Sequence, residues 1–259
     1  MPQLILIDIF VFFFGAVVGS FLNVCIYRLP RRESVVFPPS RCTGCGSRIR
    51  WYDNVPIISY LVLRGRCRFC GASISLQYPV VELINGLLTF FLFLKFGLSP
   101  TFGILFLFCS ALVVITFIDL EHQIIPDVIS LPGIVVGFAA SFFLPWLGWQ
   151  ASLIGIAAGG GSLLLVAYGY ELVAKKEGMG GGDIKLLAMM GAFLGWRAVL
   201  FILFASSLIG SMVGITLMLA QKKDSKLAIP FGPFLASGAI LYIFFGRQII
   251  TWYLSLGAR

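Results

Sequence analysis

The sequence predicts an all-α integral membrane protein with about eight transmembrane helices and one small cytoplasmic insert. Of its 259 residues, 59% are hydrophobic and only 12% are charged, and the mean hydropathy is +0.99. These values are not those of a soluble domain. The apolar residues also form continuous runs instead of alternating with polar ones, which favours helices over a transmembrane β-barrel.

Eight apolar segments are the candidate spans, since a helix needs roughly 20 apolar residues to cross a bilayer. The sixth has only about 13 residues. It is too short to cross unaided and is predicted to be a half-helix packed inside the bundle. The segments lie at about 4–26, 80–96, 101–118, 127–146, 151–172, 184–196, 198–219 and 229–256.

The chain is predicted to have three parts. Residues 1–26 form the first transmembrane helix, residues 27–79 a polar cytoplasmic insert rich in Arg, Pro and Cys, and residues 80–259 the rest of the bundle. The first segment is not an ordinary secretory signal, because it starts without a basic residue, contains Asp8 and is followed by its arginines. That arrangement puts the N-terminus outside.

Basic residues fix the predicted orientation. Threading the chain through eight spans leaves 15 of the 19 Lys and Arg residues on one side of the membrane and four on the other. The positive-inside rule makes the richer side cytoplasmic and puts both termini outside. The 15 residues are the nine arginines from Arg28 to Arg68, with Lys175, Lys176, Lys185, Lys222, Lys223 and Lys226.

The net charge of +8 does not indicate a nucleic-acid partner. Basic loops beside transmembrane helices orient the protein and meet anionic lipid headgroups. No basic stripe interleaved with aromatic residues is present, as an RNA- or DNA-binding surface would require. The predicted partner of these charges is therefore the lipid bilayer.

Four cysteines of the insert form two Cys-x-x-Cys knuckles, Cys42 to Cys45 and Cys67 to Cys70. Two knuckles supply the four thiolates that zinc takes in structural sites, and Gly44, Gly46 and Gly71 suit the tight turns. A cytoplasmic location disfavours disulfides, although a redox pair or unrelated thiols remain as alternatives. An insert of about 50 residues has little core, so a closed, structural zinc site would help it fold.

Small and polar residues within the spans predict close helix packing. Gly-x-x-x-Gly occurs five times, beginning at Gly15, Gly133, Gly155, Gly191 and Gly210, and such pairs let helix backbones approach. Asn23 and Glu82 lie in or at the ends of spans. Either is able to bond within the bundle or to contact a substrate, and the sequence does not separate these two roles.

Two aspartates at the edges of spans are the candidate catalytic pair. Asp119 ends the third predicted span and Asp183 begins the sixth, and the two spans between them return the chain to the same, cytoplasmic side. Carboxylates at the edge of the hydrocarbon layer are costly and usually functional. Two that converge share a proton, so one activates water while the other donates to the carbonyl or leaving amine. Chance pairing is the alternative.

Residues around the aspartates are candidates for shaping this site. Gly180 and Gly182 are expected to give the backbone unusual freedom and to let a substrate strand approach. Asp127 is either the N-cap of the fourth span or a substrate-positioning residue. Glu121 and His122 are close in sequence, but a loop position suits solvated residues equally well.

Other chemistries lack their motifs. His122 is the only histidine, which excludes a His-Glu-x-x-His zinc protease, and no Gly-x-Ser-x-Gly nucleophile elbow occurs. A phosphate-binding loop at the glycines is disfavoured, because no Gly-Lys-Ser/Thr follows and Asp183 would repel phosphate.

Taken together, the motifs resemble those of the bacterial type IV prepilin peptidases, membrane aspartyl proteases of the Gly-x-Gly-Asp type. The resemblance covers nearly the whole chain. One departure is Thr43, where the family commonly has proline. The matching segments are Gly19–Val24, Arg28–Pro30, the two knuckles, Trp51–Pro56, Ile74–Ser75, Tyr78–Glu82, Asp119, Ile125–Asp127, Gly180–Leu186 and Pro230–Phe234.

The resemblance implies a multi-pass protein of the bacterial inner membrane that serves type IV pili or type II secretion. Asp119 and Asp183 would cleave the N-terminal leader of prepilins or pseudopilins after a glycine, on the cytoplasmic side. Many members also methylate the new N-terminus with S-adenosylmethionine, an activity associated with the cysteine insert. The sequence assigns no residues to that cofactor.

Two alternatives use the same residues differently. In a transporter or channel, Asp119 and Asp183 would form a proton or cation site. In a non-enzymatic assembly protein, the zinc insert would dock a cytoplasmic partner, and asparagine would be tolerated at both aspartates.

Overall fold

The computed structural model describes residues 2–175, 180–221 and 229–257. These are mainly helical, except for the largely irregular insert at residues 29–76. No strand forms within these ranges, only two isolated β-bridges in the insert. The helices are α1 (Pro2–Arg28), α2 (Ile58–Val62), α3 (Gln77–Phe96), α4 (Pro100–His122), α5 (Asp127–Ala140), α6 (Trp149–Ala174), α7 (Gly181–Leu194), α8 (Trp196–Gln221) and α9 (Gly232–Gly257).

Each of the eight predicted segments forms a helix, and six of the helices are long and apolar enough to cross a membrane: α1, α3, α4, α6, α8 and α9. The all-α membrane class is thereby confirmed. The other two, α5 and α7, have 14 residues each. At 1.5 Å per residue they extend for about 21 Å, less than the roughly 30 Å of a hydrocarbon core.

The short length of the sixth segment was predicted. The predicted end of the fourth segment, 127–146, is wrong. Helix α5 ends at Ala140, and the chain turns at residues 141–143. Pro145 follows closely, and the residue before a proline is disfavoured in the helical conformation. Hydropathy did not register this stop, because Phe142, Phe143 and Leu144 continue the apolar run.

The chain divides into two compact units, Met1–Val114 and Ile115–Arg259. In the first unit, α1 packs on α3 through buried polar groups that satisfy one another. Asn85 donates from Nδ2 to the carbonyl oxygen of Gly15 at 2.7 Å and accepts from the Ser110 hydroxyl at 3.0 Å. A polar group without a partner is costly in a membrane, so these bonds help to fix the helix pair.

Helix α7 is the core of the second unit. Every residue from Leu186 to Leu194 is buried, and α5, α6, α8 and α9 all contact this helix. The prediction that the sixth segment is packed inside the bundle is confirmed within this unit. A fully surrounded helix needs no polar face, and its only charged residues, Asp183 and Lys185, lie in its first turns.

Glycines bring α6 and α7 into backbone contact. A Cβ on Gly155 would collide with the carbonyl of Gly191, and one on Gly191 would collide with that of Gly155. The Ser152 hydroxyl also donates to the Ala192 carbonyl at 2.7 Å. The packing interpretation of the Gly-x-x-x-Gly pairs is confirmed for Gly155 and Gly191.

Gly191→Ala is expected to destabilise the second unit by about 1–3 kcal/mol, because the added methyl group has only backbone to displace. The unfolding midpoint of the purified protein in detergent measures the change. Gly169→Ala is the control, because its Cβ would have no described atom within 4 Å among the neighbours considered. Equal midpoints for the two variants would contradict the packing interpretation.

Candidate active site

Asp119 lies in the last turn of α4 and is buried, with 5% of its surface exposed. Its Oδ2 accepts a hydrogen bond of 3.0 Å from the backbone N–H of Gly232, the first residue of α9. A Cβ on Gly232 would lie 2.6 Å from Oδ2. Only glycine therefore lets the N-terminus of α9 approach the carboxyl this closely, and helix N-termini favour negative charge.

Asp183 lies in the first turn of α7 and is half-buried. The charge of Asp119 acts electrostatically on the Asp183 carboxyl. Its Oδ1 is buried, and no described residue donates a hydrogen bond to it. Leaving a buried oxygen without a donor costs free energy, and such groups in native structures call for an explanation. Chemically, Oδ1 is suited to hold a proton or to accept one from water.

The two glycines before Asp183 differ in what they contribute. Gly180 has φ −68° and ψ 135°, an extended conformation that other residues adopt, so the predicted need for backbone freedom is not observed there. Position 182 requires glycine because Ile125 lies close to it: a Cβ on Gly182 would be 2.9 Å from Cβ of Ile125. The start of α7 thereby packs on the loop between α4 and α5.

Asp127 does not cap α5. Pro126 occupies the N-cap position, and Asp127 is the first helical residue. Its Oδ1 instead forms an ion pair with Nζ of Lys185 at 2.5 Å, with both side chains partly exposed. This pair ties the start of α5 to the start of α7, two residues beyond Asp183. The capping interpretation is wrong, and the positioning alternative remains a proposal.

Glu121 and His122 belong to the last turn of α4 and not to a loop, so their predicted loop position is wrong. The His122 Nε2 atom lies 3.9 Å from Oε1 of Glu121. That nitrogen is buried without a hydrogen-bond partner among the described residues. Glu121 and His122 come two and three residues after Asp119, so the C-terminal end of α4 carries three titratable side chains.

Sequence reasoning did not identify Gly232 and Lys185 as site residues. Gly232 contacts Asp119 across 113 positions of sequence, and no local pattern reports such a contact. Two signals were present. Gly232 lies in the matching segment Pro230–Phe234, and the adjacent Pro233 marks a helix start, because proline is favoured in a first turn. Lys185 was counted as a positive charge for orientation and as part of the matching segment Gly180–Leu186, but no contact of its side chain was predicted.

The four insert cysteines converge as predicted. Their Sγ atoms all lie within 4.8 Å of one another, and Cys42 and Cys70 are 3.8 Å apart. Both knuckles end in a turn closed by a glycine in the left-handed region, Gly46 at φ 70° and Gly71 at φ 71°. The cluster is able to hold a metal ion, and four thiolates are the set that zinc takes in structural sites.

Hydrogen bonds lower the pKa of two of these thiols and so favour the thiolate form, which is the metal ligand. Ser47, through its side chain and then its backbone, lowers the pKa of Cys45 to about 6. Backbone N–H groups of Cys70 and Phe69 lower the pKa of Cys67. The Ala72 N–H lowers the pKa of Cys70. The hydrogen bond to Cys45, desolvation and the hydrogen bonds to Cys67 and Cys42 outweigh this effect and raise that pKa to about 11. Clustered thiols resist joint ionisation, and a bound cation removes that resistance.

Two regions of this chain match known protein families. Residues 13–96 match the bacterial peptidase A24 N-terminal domain, and residues 106–215 match the type IV leader peptidase family. A prepilin leader peptidase/N-methyltransferase of Myxococcus xanthus (strain DK1622) is 44% identical over 215 residues, which cover 83% of this chain and 64% of that protein.

Other relatives are matched nearly end to end. Proteins with the same name from Pseudomonas putida and Stutzerimonas stutzeri are 37% and 38% identical, and the matches cover 91% and 93% of this chain and 89% and 91% of theirs. The chain belongs to the type IV leader peptidase family. No solved structure matches the chain. Asp119 and Asp183 fall within the type IV leader peptidase match and the four cysteines within the N-terminal one, so the predicted resemblance is confirmed.

Proposed function

We propose that this chain cleaves the N-terminal leader of type IV prepilins or pseudopilins and uses Asp119 and Asp183 as an acid/base pair. Family membership supports the reaction class and the substrate. The observation that carries the residue assignment is geometric: Asp119 is buried and accepts a hydrogen bond from the Gly232 N–H, and Oδ1 of Asp183 is buried without a donor among the described residues. The charge of Asp119 also acts on the Asp183 carboxyl.

The geometry suits hydrolysis without a covalent intermediate. One carboxylate takes a proton from water as the water oxygen bonds to the scissile carbonyl carbon, and the other carboxyl donates its proton to the carbonyl oxygen. When the C–N bond breaks, the leaving nitrogen takes up a proton from the pair. The N–H of Gly232 would hold the Asp119 carboxylate in position through this exchange.

Cleavage after a glycine on the cytoplasmic side is the finer form of this proposal. The positive-inside rule supports the side, through the arginines from Arg28 to Arg68 and through Lys185. Lys176, Lys222, Lys223 and Lys226, which add to the same side, lie outside the described residues. The six long apolar helices and the named relatives support a multi-pass protein of the bacterial inner membrane.

We further propose that the chain methylates the amine that cleavage releases. The N-methyltransferase in the relatives' names supports this second step. When bound, S-adenosylmethionine supplies a methyl group whose bond to sulfur breaks as its bond to the amine nitrogen forms, with loss of one amine proton. The cysteine insert, held by zinc on Cys42, Cys45, Cys67 and Cys70, is proposed to support this step.

Mass spectrometry of a purified prepilin tests both activities. The substrate is incubated with the full chain in detergent, with and without S-adenosylmethionine. Loss of the leader together with one added methyl group on the new N-terminus is expected. Loss of the leader alone would keep the peptidase and contradict methylation. An uncut substrate with folded protein would contradict the proposal and favour a transport role for the aspartates.

Cys42→Ser is expected to lower methylation more than cleavage, because a closed thiolate site supports the fold of the insert and does not touch the peptide. Zinc content per chain, the cleavage rate and the methylated fraction are measured together. Cys25→Ser is the control, since Cys25 lies in α1 and outside the cluster. Equal losses of both activities at unchanged expression would count against the separation.

A further inference from the structure

Glu82 is a buried acid that the proposed chemistry does not use. It lies in the second turn of α3 with 7% of its surface exposed. Its Oε2 accepts a hydrogen bond of 2.7 Å from the backbone N–H of Ile57 in the insert, and Ser20 of α1 also bonds to its side chain. A buried carboxylate is costly unless it is paired, so this acid has a specific partner in the insert.

The partner is a strained turn. Ile57 has φ 63° and ψ −50°, and the N–H of Ile58 donates to the carbonyl of Pro56 at 2.6 Å. This is a γ-turn of the rare, strained form, centred on a β-branched residue in the left-handed region. Such a conformation persists only where surrounding contacts enforce it. The bond from Ile57 to Glu82 is a contact of this kind.

Hydrogen bonds also connect the strained turn at Ile57 to the second cysteine knuckle. The Ser59 hydroxyl accepts from the Val55 N–H at 2.9 Å and donates to the Tyr52 carbonyl at 3.0 Å. Asp53 accepts three hydrogen bonds of 2.6–3.0 Å from Arg68, the residue after Cys67. A continuous set of polar contacts therefore runs from the knuckle through residues 52–59 to Glu82.

At its other end, this set of polar contacts reaches Glu82, whose helix α3 packs on α1. Asn23 of α1 donates from Nδ2 to the carbonyl of Tyr78 at 3.0 Å, which ties the start of α3 to α1. Gly19 makes the approach possible, since a Cβ there would lie 2.8 Å from Cα of Glu82. The two polar residues that the sequence left unassigned thus both act where the insert meets the membrane helices.

We propose that Glu82 is a positioning residue that fixes the cysteine insert on the α1–α3 pair by holding the strained turn at Ile57. Its contact is made by backbone, so the insert is held at a defined point between its two knuckles. The consequence for methylation rests on the proposed function, whereas the docking itself does not.

Hydrogen exchange of the full chain in lipid nanodiscs tests the docking. In Glu82→Ala, the peptide covering residues 55–63 is expected to exchange at least about tenfold faster, because its local opening loses the contact that closes it. Zinc content should stay at the wild-type value. Glu82→Gln keeps an acceptor oxygen and should exchange more slowly than Glu82→Ala. Glu33→Ala removes an exposed acid of the same segment and should leave the peptide unchanged.

A second variant keeps the test independent of general loss of fold. Glycine adopts positive φ without strain, so Ile57→Gly in the Glu82→Ala background should recover most of the slow exchange. Wild-type exchange at 55–63 in Glu82→Ala would overturn the proposal. So would faster exchange spread over α1 and α3, or a double variant no slower than Glu82→Ala, since either would mean that Glu82 only fills space.

The methylated fraction of cleaved pilin is measured on the same samples. Glu82→Ala is expected to cleave at the wild-type rate, because the aspartates lie in the second unit, and to methylate several-fold less. A wild-type chain that cleaves without methylating would defeat the methylation proposal and leave the exchange result standing. Normal methylation in Glu82→Ala, with fast exchange, would overturn the link between docking and methylation.

Discussion

Asp183→Asn is expected to lower leader cleavage by about 10²–10⁴-fold or more, the range that a positioned acid or base contributes. Asparagine has nearly the size of aspartate and retains hydrogen-bonding capacity, but it does not exchange a proton with water. The half-buried position at the start of α7 should tolerate it, because the fully buried residues of that helix begin at Leu186. The rate of leader loss by mass spectrometry measures the effect.

Asp119→Asn should cause a loss of similar size, and the double variant should be little worse than either single one. Residues that act as one unit show such non-additivity. Asp8→Asn is the control, because this acid of α1 has no place in the site. A single variant that retains near-normal cleavage, or losses that multiply in the double variant, would contradict a shared acid/base pair.

The sequence predicted the parts of this protein that depend on local pattern. Continuous hydropathy located eight helices, and ligand spacing located the four cysteines whose sulfur atoms meet within 4.8 Å. Counting spans predicted that Asp119 and Asp183 lie on one side of the membrane. That side stays a prediction, while both residues lie in the second unit and the charge of Asp119 acts on Asp183. Each of these inferences needs only chain direction, residue type and periodicity.

What the sequence did not predict depends on contacts between distant residues. The bonds of Gly232 to Asp119 and of Ile57 to Glu82 are made by backbone N–H groups, which every residue except proline carries. No residue type marks such a donor. The end of α5 at Ala140 was missed for another reason, because turn formation there competes with hydropathy that stays high.

Gly232→Ala is expected to lower cleavage strongly without unfolding the protein. The added Cβ would lie 2.6 Å from Oδ2 of Asp119, closer than carbon and oxygen approach without a bond between them. Either the carboxyl turns away or the start of α9 withdraws, and in both cases the 3.0 Å bond from the Gly232 N–H is lost. A displacement of about 1 Å at a reacting group costs on the order of 10²-fold in rate.

The measurement is kcat/KM for leader cleavage, compared with methylation of a pilin that has already been cleaved. Methylation should persist, because the cysteine insert lies in the other unit, and its persistence shows that the variant is folded. Gly161→Ala is the matched control, since its Cβ would have no described atom within 4 Å among the neighbours considered. Wild-type cleavage in Gly232→Ala would mean that Asp119 does not need this donor. Loss of both activities would point to a general defect of fold and remove Gly232 from the site.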